Sequence, residues 1–248
     1  MITLHGGVGL DSTYLRKSLQ PLENQFDVRH YDRHKIEPQA EDFDGWVEQL
    51  ENVRSKEFGD EKIILFGHSF GGFLALEYAL KHQDKLKGLI LCTTGPKIRL
   101  VRNMAMPVLS EKQTQAMKRF GAEGVTSSND VKEAWDAALP VFLSNPSVTQ
   151  KNILDGTRFS VEGLLKEHKA VQQWSVEDRL GEITIPTLVI AGKHDWTFGP
   201  DDAKAMAAKL PNATTVVLDT GHFPFWEDPT GFKKAIEEYS KNFSKRQS

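Results

Sequence analysis

One short stretch restricts this chain more than any other. Glu61-Lys62-Ile63-Ile64-Leu65-Phe66 carries an apolar run of strand length into Gly67-His68-Ser69-Phe70-Gly71, and Phe73, Leu74, Leu76 and Tyr78 leave it with helical spacing. A G-x-S-x-G that joins a strand to a helix places its serine at the tip of a strained turn. There the glycines let backbone and helix approach closely, and Oγ is pushed outward. The following helix turns its free N–H groups and positive dipole end towards that serine. By itself the pentapeptide is weak evidence in a chain with 19 glycines, so the flanking patterns carry the weight.

The same rhythm extends on both sides. Ile2-Thr3-Leu4 reads as a strand that ends in His5-Gly6-Gly7-Val8-Gly9, a loop whose backbone must come close to something. Phe26 to Tyr31 alternates as a strand, with His30 and His34 near its end expected at the surface. Phe43, Trp46, Val47, Leu50 and Val53 recur on one helical face, and Leu86 to Thr93 forms the next strand. Strand–helix alternation predicts a mostly parallel sheet flanked by helices. After Gly95-Pro96 the alternation stops for about eighty-five residues. Ser110-Glu111-Lys112-Gln113 has capping-box form and opens a helix to about Phe120. Val131, Trp135, Ala138 and Leu139 mark a second helical stripe, and Leu164, Leu165, His168, Val171 and Trp174 a third. We expect an α/β core over residues 1–96 and 183–248, with an all-helical cap over 97–182. Alternation resumes at Ile185 to Gly192 and at Thr214 to Leu218, and a last helix carries Phe232, Ile236, Tyr239 and Phe243.

A serine hydroxyl needs a base, and the base needs an orienting acid. His222 follows the last strand and is the only histidine after Asp195, which lies just past the preceding strand. The turn after Cys92 reads Thr93-Thr94-Gly95-Pro96 and holds no acid. Asp201, Asp202 and Asp219 are the alternatives: the first two read as helix caps, the third as a strand end. His194 reads as a rim residue. The catalytic candidates are therefore Ser69, Asp195 and His222.

Composition narrows the partners. The net charge of −3 provides no positive field for nucleic acid or anionic lipid, and no apolar run reaches the ~18 residues needed to cross a bilayer. No cluster has zinc-ligand spacing and no loop matches a phosphate cradle, so neither metal nor cofactor is expected. The first residues lack the charged leader and apolar core of a signal peptide, and the single cysteine, Cys92, permits no internal disulfide. A cytoplasmic protein is the expectation.

The chain resembles the α/β-hydrolase superfamily over nearly its whole length, and within it is most similar to the proline iminopeptidase branch, including the tricorn-interacting aminopeptidases. The resemblance is carried by His5-Gly6-Gly7-Val8-Gly9 (HGGPG in the family), by Arg54 to Lys62 leading into the elbow, and by Tyr78 to Ile90. Ile185-Pro186-Thr187 and Trp226-Glu227-Asp228 add to it. It implies triad roles for Ser69, Asp195 and His222, and oxyanion roles for the N–H groups of Gly7 and Phe70. The family's leading antiparallel strands are missing, which predicts Phe26 to Tyr31 as a sheet edge covered by a loop or a partner subunit. In the family, cap glutamates bind a substrate's free amino terminus. The tricorn-interacting branch adds a glutamate right after the catalytic aspartate; that position is Trp196 here, and Arg158 stands where a cap carboxylate is expected.

The resulting expectation is a hydrolase that cleaves a small ester, lactone or amide through an acyl-enzyme. Its apolar pocket would be lined by Phe70, Trp174, Trp196, Phe198, Phe223 and Phe225. The alternatives are a prolyl aminopeptidase and a non-catalytic ligand-binding protein of the same fold; a homo-oligomer is also compatible.

Overall fold

The apolar runs of the sequence become the strands of one parallel sheet in a computed structural model that describes residues 1–36, 40–98, 107–145 and 153–244. Parts of the expected cap, 99–106 and 146–152, lie outside the described residues. The strands are β1 (Ile2–Leu4), β2 (Arg29–Tyr31), β3 (Ile63–His68), β4 (Leu86–Cys92), β5 (Thr187–Gly192) and β6 (Ala213–Leu218). Their order is β2-β1-β3-β4-β5-β6, and every neighbouring pair is parallel.

Alternation along each strand sends side chains to two faces, and both faces are buried. Ile64, Phe66, Ile90, Cys92, Leu188 and Ile190 join one core. That face is covered by α1 (Thr13–Leu19) and α8 (Pro229–Ser244) and by the helices that follow β4. Ile63, Leu65, Leu89, Leu91, Val189 and Ala191 join the other, against α2 (Phe43–Phe58), α3 (Phe70–His82) and α7 (Pro200–Lys209). Truncating a fully buried residue such as Leu65 to Ala costs about 2–5 kcal/mol in such a core. Cys92, at the end of β4, has no exposed surface.

Between β4 and β5 the described residues form α4 (Glu111–Phe120), α5 (Ser128–Phe142) and α6 (Val161–Val171). The capping box opening α4 is present: Ser110 accepts from Gln113 N, and the Gln113 side chain accepts from Ser110 N. The third apolar stripe is out of phase with the sequence reading. Gly163, Leu164 and Glu167 face inward, and Leu165 is 44% exposed. Strand β2 is also shorter than the alternation from Phe26 implies. It lies at one sheet edge, where the His30 ring turns in to Thr3 Oγ1 at 2.7 Å.

Because all six strands run the same way, their carboxyl ends share one rim. The glycine loop after β1, Arg33 after β2, Ser69 after β3, Thr93 and Thr94 after β4, Asp195 after β5 and His222 after β6 all arise there.

Candidate active site

Ser69 sits between β3 and α3 with φ 52° and ψ −119°, a conformation that costs a non-glycine residue about 1–3 kcal/mol. The surroundings hold it there. Ser69 N donates to Cys92 O at 3.0 Å, and Ser69 O accepts from Gly72 N at 2.8 Å and Thr94 Oγ1 at 2.7 Å. The glycines of the pentapeptide are required by contact: a Cβ on Gly67 would collide with the backbone of Gly71, and one on Gly71 with the carbonyl of Leu4.

Asp195 is 1% exposed, and its carboxylate is fully occupied. Oδ2 lies 2.8 Å from His222 Nδ1, while Oδ1 accepts from Thr197 N at 2.8 Å and Thr197 Oγ1 at 2.5 Å. Burial alone would raise its pKa. The charge of His222 and the hydrogen bonds from His222 and Thr197 outweigh burial, so the group lies below the ordinary carboxylate value. A carboxylate only accepts, so Nδ1 carries the hydrogen and the Nε2 lone pair of a neutral ring is left to take a proton. Asp201 and Asp202 lie in the first turn of α7, and Asp219 pairs with the exposed His194 at 2.8 Å.

The backbone of His222 is tied at both ends. Its N–H donates to Phe142 O at 2.7 Å, and its carbonyl accepts from Thr93 Oγ1 and His68 Nε2, each at 3.0 Å. Phe142 belongs to α5, so the helical segment helps to set the histidine turn. Glu227 reinforces the same junction by accepting from Gly221 N at 2.8 Å and from Ser144 N at 2.7 Å.

A cavity of about 350 Å³ opens beside these residues, with Gly7, Ser69, Phe70 and His222 in its wall. Gly7 and Phe70 approach each other so closely that a Cβ on Gly7 would stand 3.3 Å from that of Phe70. Most of the remaining wall is apolar, including Phe120 and Trp135 from α4 and α5 and also Trp196 and Phe198. Trp174, Phe223 and Phe225, expected in the pocket, are not in its lining. Trp174 packs behind it on Phe73 at 4.6 Å and donates to Glu77, while Phe223 and Phe225 are core residues under His68. Arg158 is exposed and is not part of the wall.

Two buried clusters went unread in the sequence. Tyr14 Oη accepts from Gly6 N at 2.7 Å and lies 2.7 Å from His68 Nδ1. Arg33 and Glu167, both without exposed side-chain surface, form an ion pair between the residues after β2 and helix α6. His34 joins it through Nε2, 3.0 Å from Glu167 Oε1, and its side chain is only 11% exposed. The surface reading of His30 and His34 is thereby corrected. Burial pushes the Glu167 pKa up, but the Arg33 charge and the hydrogen bonds from His34 and Gly9 prevail and hold it low. Only the proximity of Arg33 and His34 to the strand end could have drawn attention to this pair; its acid arrives from 134 residues away.

Among the described residues no group of three or more His, Cys, Asp and Glu side chains is arranged to hold a metal ion, and no helix is long and apolar enough to cross a membrane.

The comparisons with known proteins agree on one fold. The family described as alpha/beta hydrolase fold matches residues 2–229. Proline iminopeptidase of Thermoplasma volcanium is 29% identical over 265 residues, spanning 96% of this chain and 88% of that protein. The protein of the same name from Saccharolobus solfataricus is 26% identical over 265 residues, spanning 96% and 84%. Among solved structures, MenH from S. aureus has a TM-score of 0.77 at 24% identity, covering 97% of this chain and 92% of its own. The enol-lactonase from Burkholderia xenovorans LB400 has a TM-score of 0.73 at 19% identity, covering 97% and 90%.

Proposed function

Since this chain belongs to the α/β-hydrolase family and is a hydrolase, we propose that it cleaves small esters or lactones with apolar acyl groups through a covalent acyl-serine. The observation that carries this reading is the Asp195–His222 pair, 2.8 Å apart, beside the same cavity as the strained Ser69.

The reaction runs in two halves. His222 Nε2 takes the Ser69 proton as Oγ attacks the substrate carbonyl. The N–H groups of Gly7 and Phe70 receive the negative charge that develops on the carbonyl oxygen. The intermediate collapses as His222 returns that proton to the leaving alcohol, which departs and leaves the acyl group on Oγ. Water then attacks the acyl-enzyme while His222 takes its proton, and the second tetrahedral intermediate collapses as His222 returns that proton to Ser69 Oγ, releasing the carboxylic acid product. Asp195 stays ionised throughout; it orients the ring and stabilises the imidazolium. Helices α4 to α6 serve as the cap, excluding water from the acyl pocket. The single buried cysteine suits a reducing compartment such as the cytoplasm.

A second reading, a prolyl aminopeptidase, is favoured by the two iminopeptidases above, at 29% and 26% identity over 96% of this chain. It requires a carboxylate free to meet the substrate's ammonium, because an unpaired buried charge costs several kcal/mol. The one carboxylate in the described wall, Glu167, has no exposed surface and is committed to Arg33. We therefore expect kcat/KM for a short acyl p-nitrophenyl ester to exceed that for a prolyl arylamide by at least about tenfold. N-acetylation of the prolyl substrate controls for the greater ease of ester cleavage, and here it should change the rate little. Efficient cleavage of the free prolyl arylamide with rejection of the acetylated form would establish the aminopeptidase instead.

A further inference from the structure

Arg33 grips two carbonyls of the glycine loop that follows β1. Its Nη1 donates to His5 O at 2.8 Å and its Nη2 to Gly6 O at 2.9 Å. The Gly6 carbonyl and the Gly7 N–H are the two ends of one planar trans peptide unit and point in opposite directions. Fixing the carbonyl towards Arg33 therefore fixes the N–H away from it, and Gly7 lies in the cavity wall. A guanidinium on the carbonyl also polarises the unit, which strengthens the N–H as a donor. The second oxyanion candidate is adjacent: the Arg33 guanidinium carbon stands 4.5 Å over the Phe70 ring.

Glu167 holds the guanidinium from the cap side. Its Oε1 accepts from Arg33 Nε at 2.8 Å and also from Nη2, while its Oε2 accepts from Gly9 N at 2.9 Å. The pair thus contacts the loop at residues 5, 6 and 9, on both sides of Gly7. An apolar pair could anchor α6 to the core without the desolvation cost of two buried charges. What it could not supply is directional bonding to particular peptide groups.

We propose that Arg33 is a positioning residue for the oxyanion, acting through the Gly6–Gly7 peptide, and that Glu167 makes this alignment depend on the seating of cap helix α6. The inference rests on the serine-hydrolase reading above.

The test compares wild type, Glu167→Gln and the double variant Arg33→Met/Glu167→Leu, which leaves no lone buried charge. Three quantities are read on each: kcat and KM for a p-nitrophenyl ester, the inhibition constant of a phenylboronic acid that forms a tetrahedral anion on Ser69, and the melting temperature. In the double variant kcat should fall about tenfold or more with KM within about threefold, and boronate affinity should fall in the same proportion. Glu167→Gln should show the same pattern to a smaller degree. A double variant that melts lower but keeps kcat and boronate affinity would make the pair a plain cap anchor and overturn the proposal. If the double variant does not fold, a folded Glu167→Gln with unchanged kcat and boronate affinity overturns it equally. A wild-type protein that neither turns over esters nor labels at Ser69 with a fluorophosphonate would remove the serine-hydrolase reading itself, and the proposal with it.

Discussion

His68 donates from Nε2 to the backbone carbonyl of His222 across 3.0 Å, so the residue before the candidate nucleophile holds the turn of the candidate base. The direction of the whole chain of bonds follows. A carbonyl can only accept, so Nε2 carries the hydrogen. Burial, and after it the charge of His222, pushes the His68 pKa down to about 3, so at neutral pH its Nδ1 is an acceptor. Tyr14 must then donate to Nδ1 at 2.7 Å while its oxygen accepts from Gly6 N at 2.7 Å. The loops after β1, β3 and β6 are joined through one neutral imidazole.

Replacing Tyr14 by Phe leaves two buried groups without this partner, the N–H of Gly6 and Nδ1 of His68. Each orphaned group costs about 1–3 kcal/mol, so Tyr14→Phe should lower the unfolding free energy by about 2 kcal/mol or more. Urea denaturation measures this directly; a loss under about 0.5 kcal/mol would mean that the hydroxyl is not the link described.

The same imidazole sets a pH dependence of stability. Its folded pKa, about 3, lies below the ordinary 6.5, so between these values the unfolded chain binds a proton that the native state refuses. Stability is therefore full above about pH 6.5 and declines as the pH falls towards 3, by up to about 1.4 kcal/mol per pH unit for one such histidine. His30, depressed to about 4 chiefly by burial, adds to the slope, as does His5, which burial and the Arg33 charge hold well below 6.5. His68→Gln should flatten the curve of unfolding free energy between pH 4 and 6 by about one proton. An unchanged slope would contradict a buried neutral His68.

Ser69→Ala should abolish nearly all turnover, with losses of several orders of magnitude, and leave the fold intact. Ser69→Gly should be equally inactive but more stable than Ser69→Ala by roughly 1 kcal/mol, because φ 52° with ψ −119° suits only glycine well. Thermal melts of the two variants, alongside esterase assays, check both statements. Residual activity above a few per cent in either would reassign the nucleophile.

Gly71→Ala adds one methyl group that meets the backbone of Leu4 and His5 rather than a yielding side chain. Helix α3 would have to move away from β1, so a destabilisation of about 3 kcal/mol or more is expected, with loss of activity because Phe70 moves with the helix. A protein expressed at wild-type levels with an unchanged melting point would show that the elbow has slack.

What the sequence revealed was mostly local. The strand–serine–helix junction, the capping box at Ser110 and the period-two cores of β3 to β5 depend on neighbours a few residues apart. The orienting role open to Asp195 was legible for a related reason, since parallel strands bring their carboxyl ends together. The rest depends on partners distant in sequence. Glu167 looks like a solvent-facing charge on α6 until Arg33 is brought against it, and the inward face of the helix then shifts away from Leu165. Aromatic content did not distinguish cavity wall from packed core: Trp196 and Phe198 line the cavity, whereas Phe223 and Phe225 lie under His68. Nor could composition tell that Arg158 stays outside or that His34 turns inward.

Cys92 gives the protein an internal timer for opening. Its thiol has no exposed surface and burial pushes its pKa up, so an alkylating reagent finds no thiolate to attack while the sheet is closed. The carbonyl of the same residue accepts from Ser69 N, which ties the end of β4 to the strained turn. The rate at which iodoacetamide consumes the single thiol therefore counts excursions that part β4 from its neighbours, one modification per molecule. Anything that binds the closed cavity and damps those excursions slows the count, so occupancy of the site can be followed by mass spectrometry without any substrate being turned over.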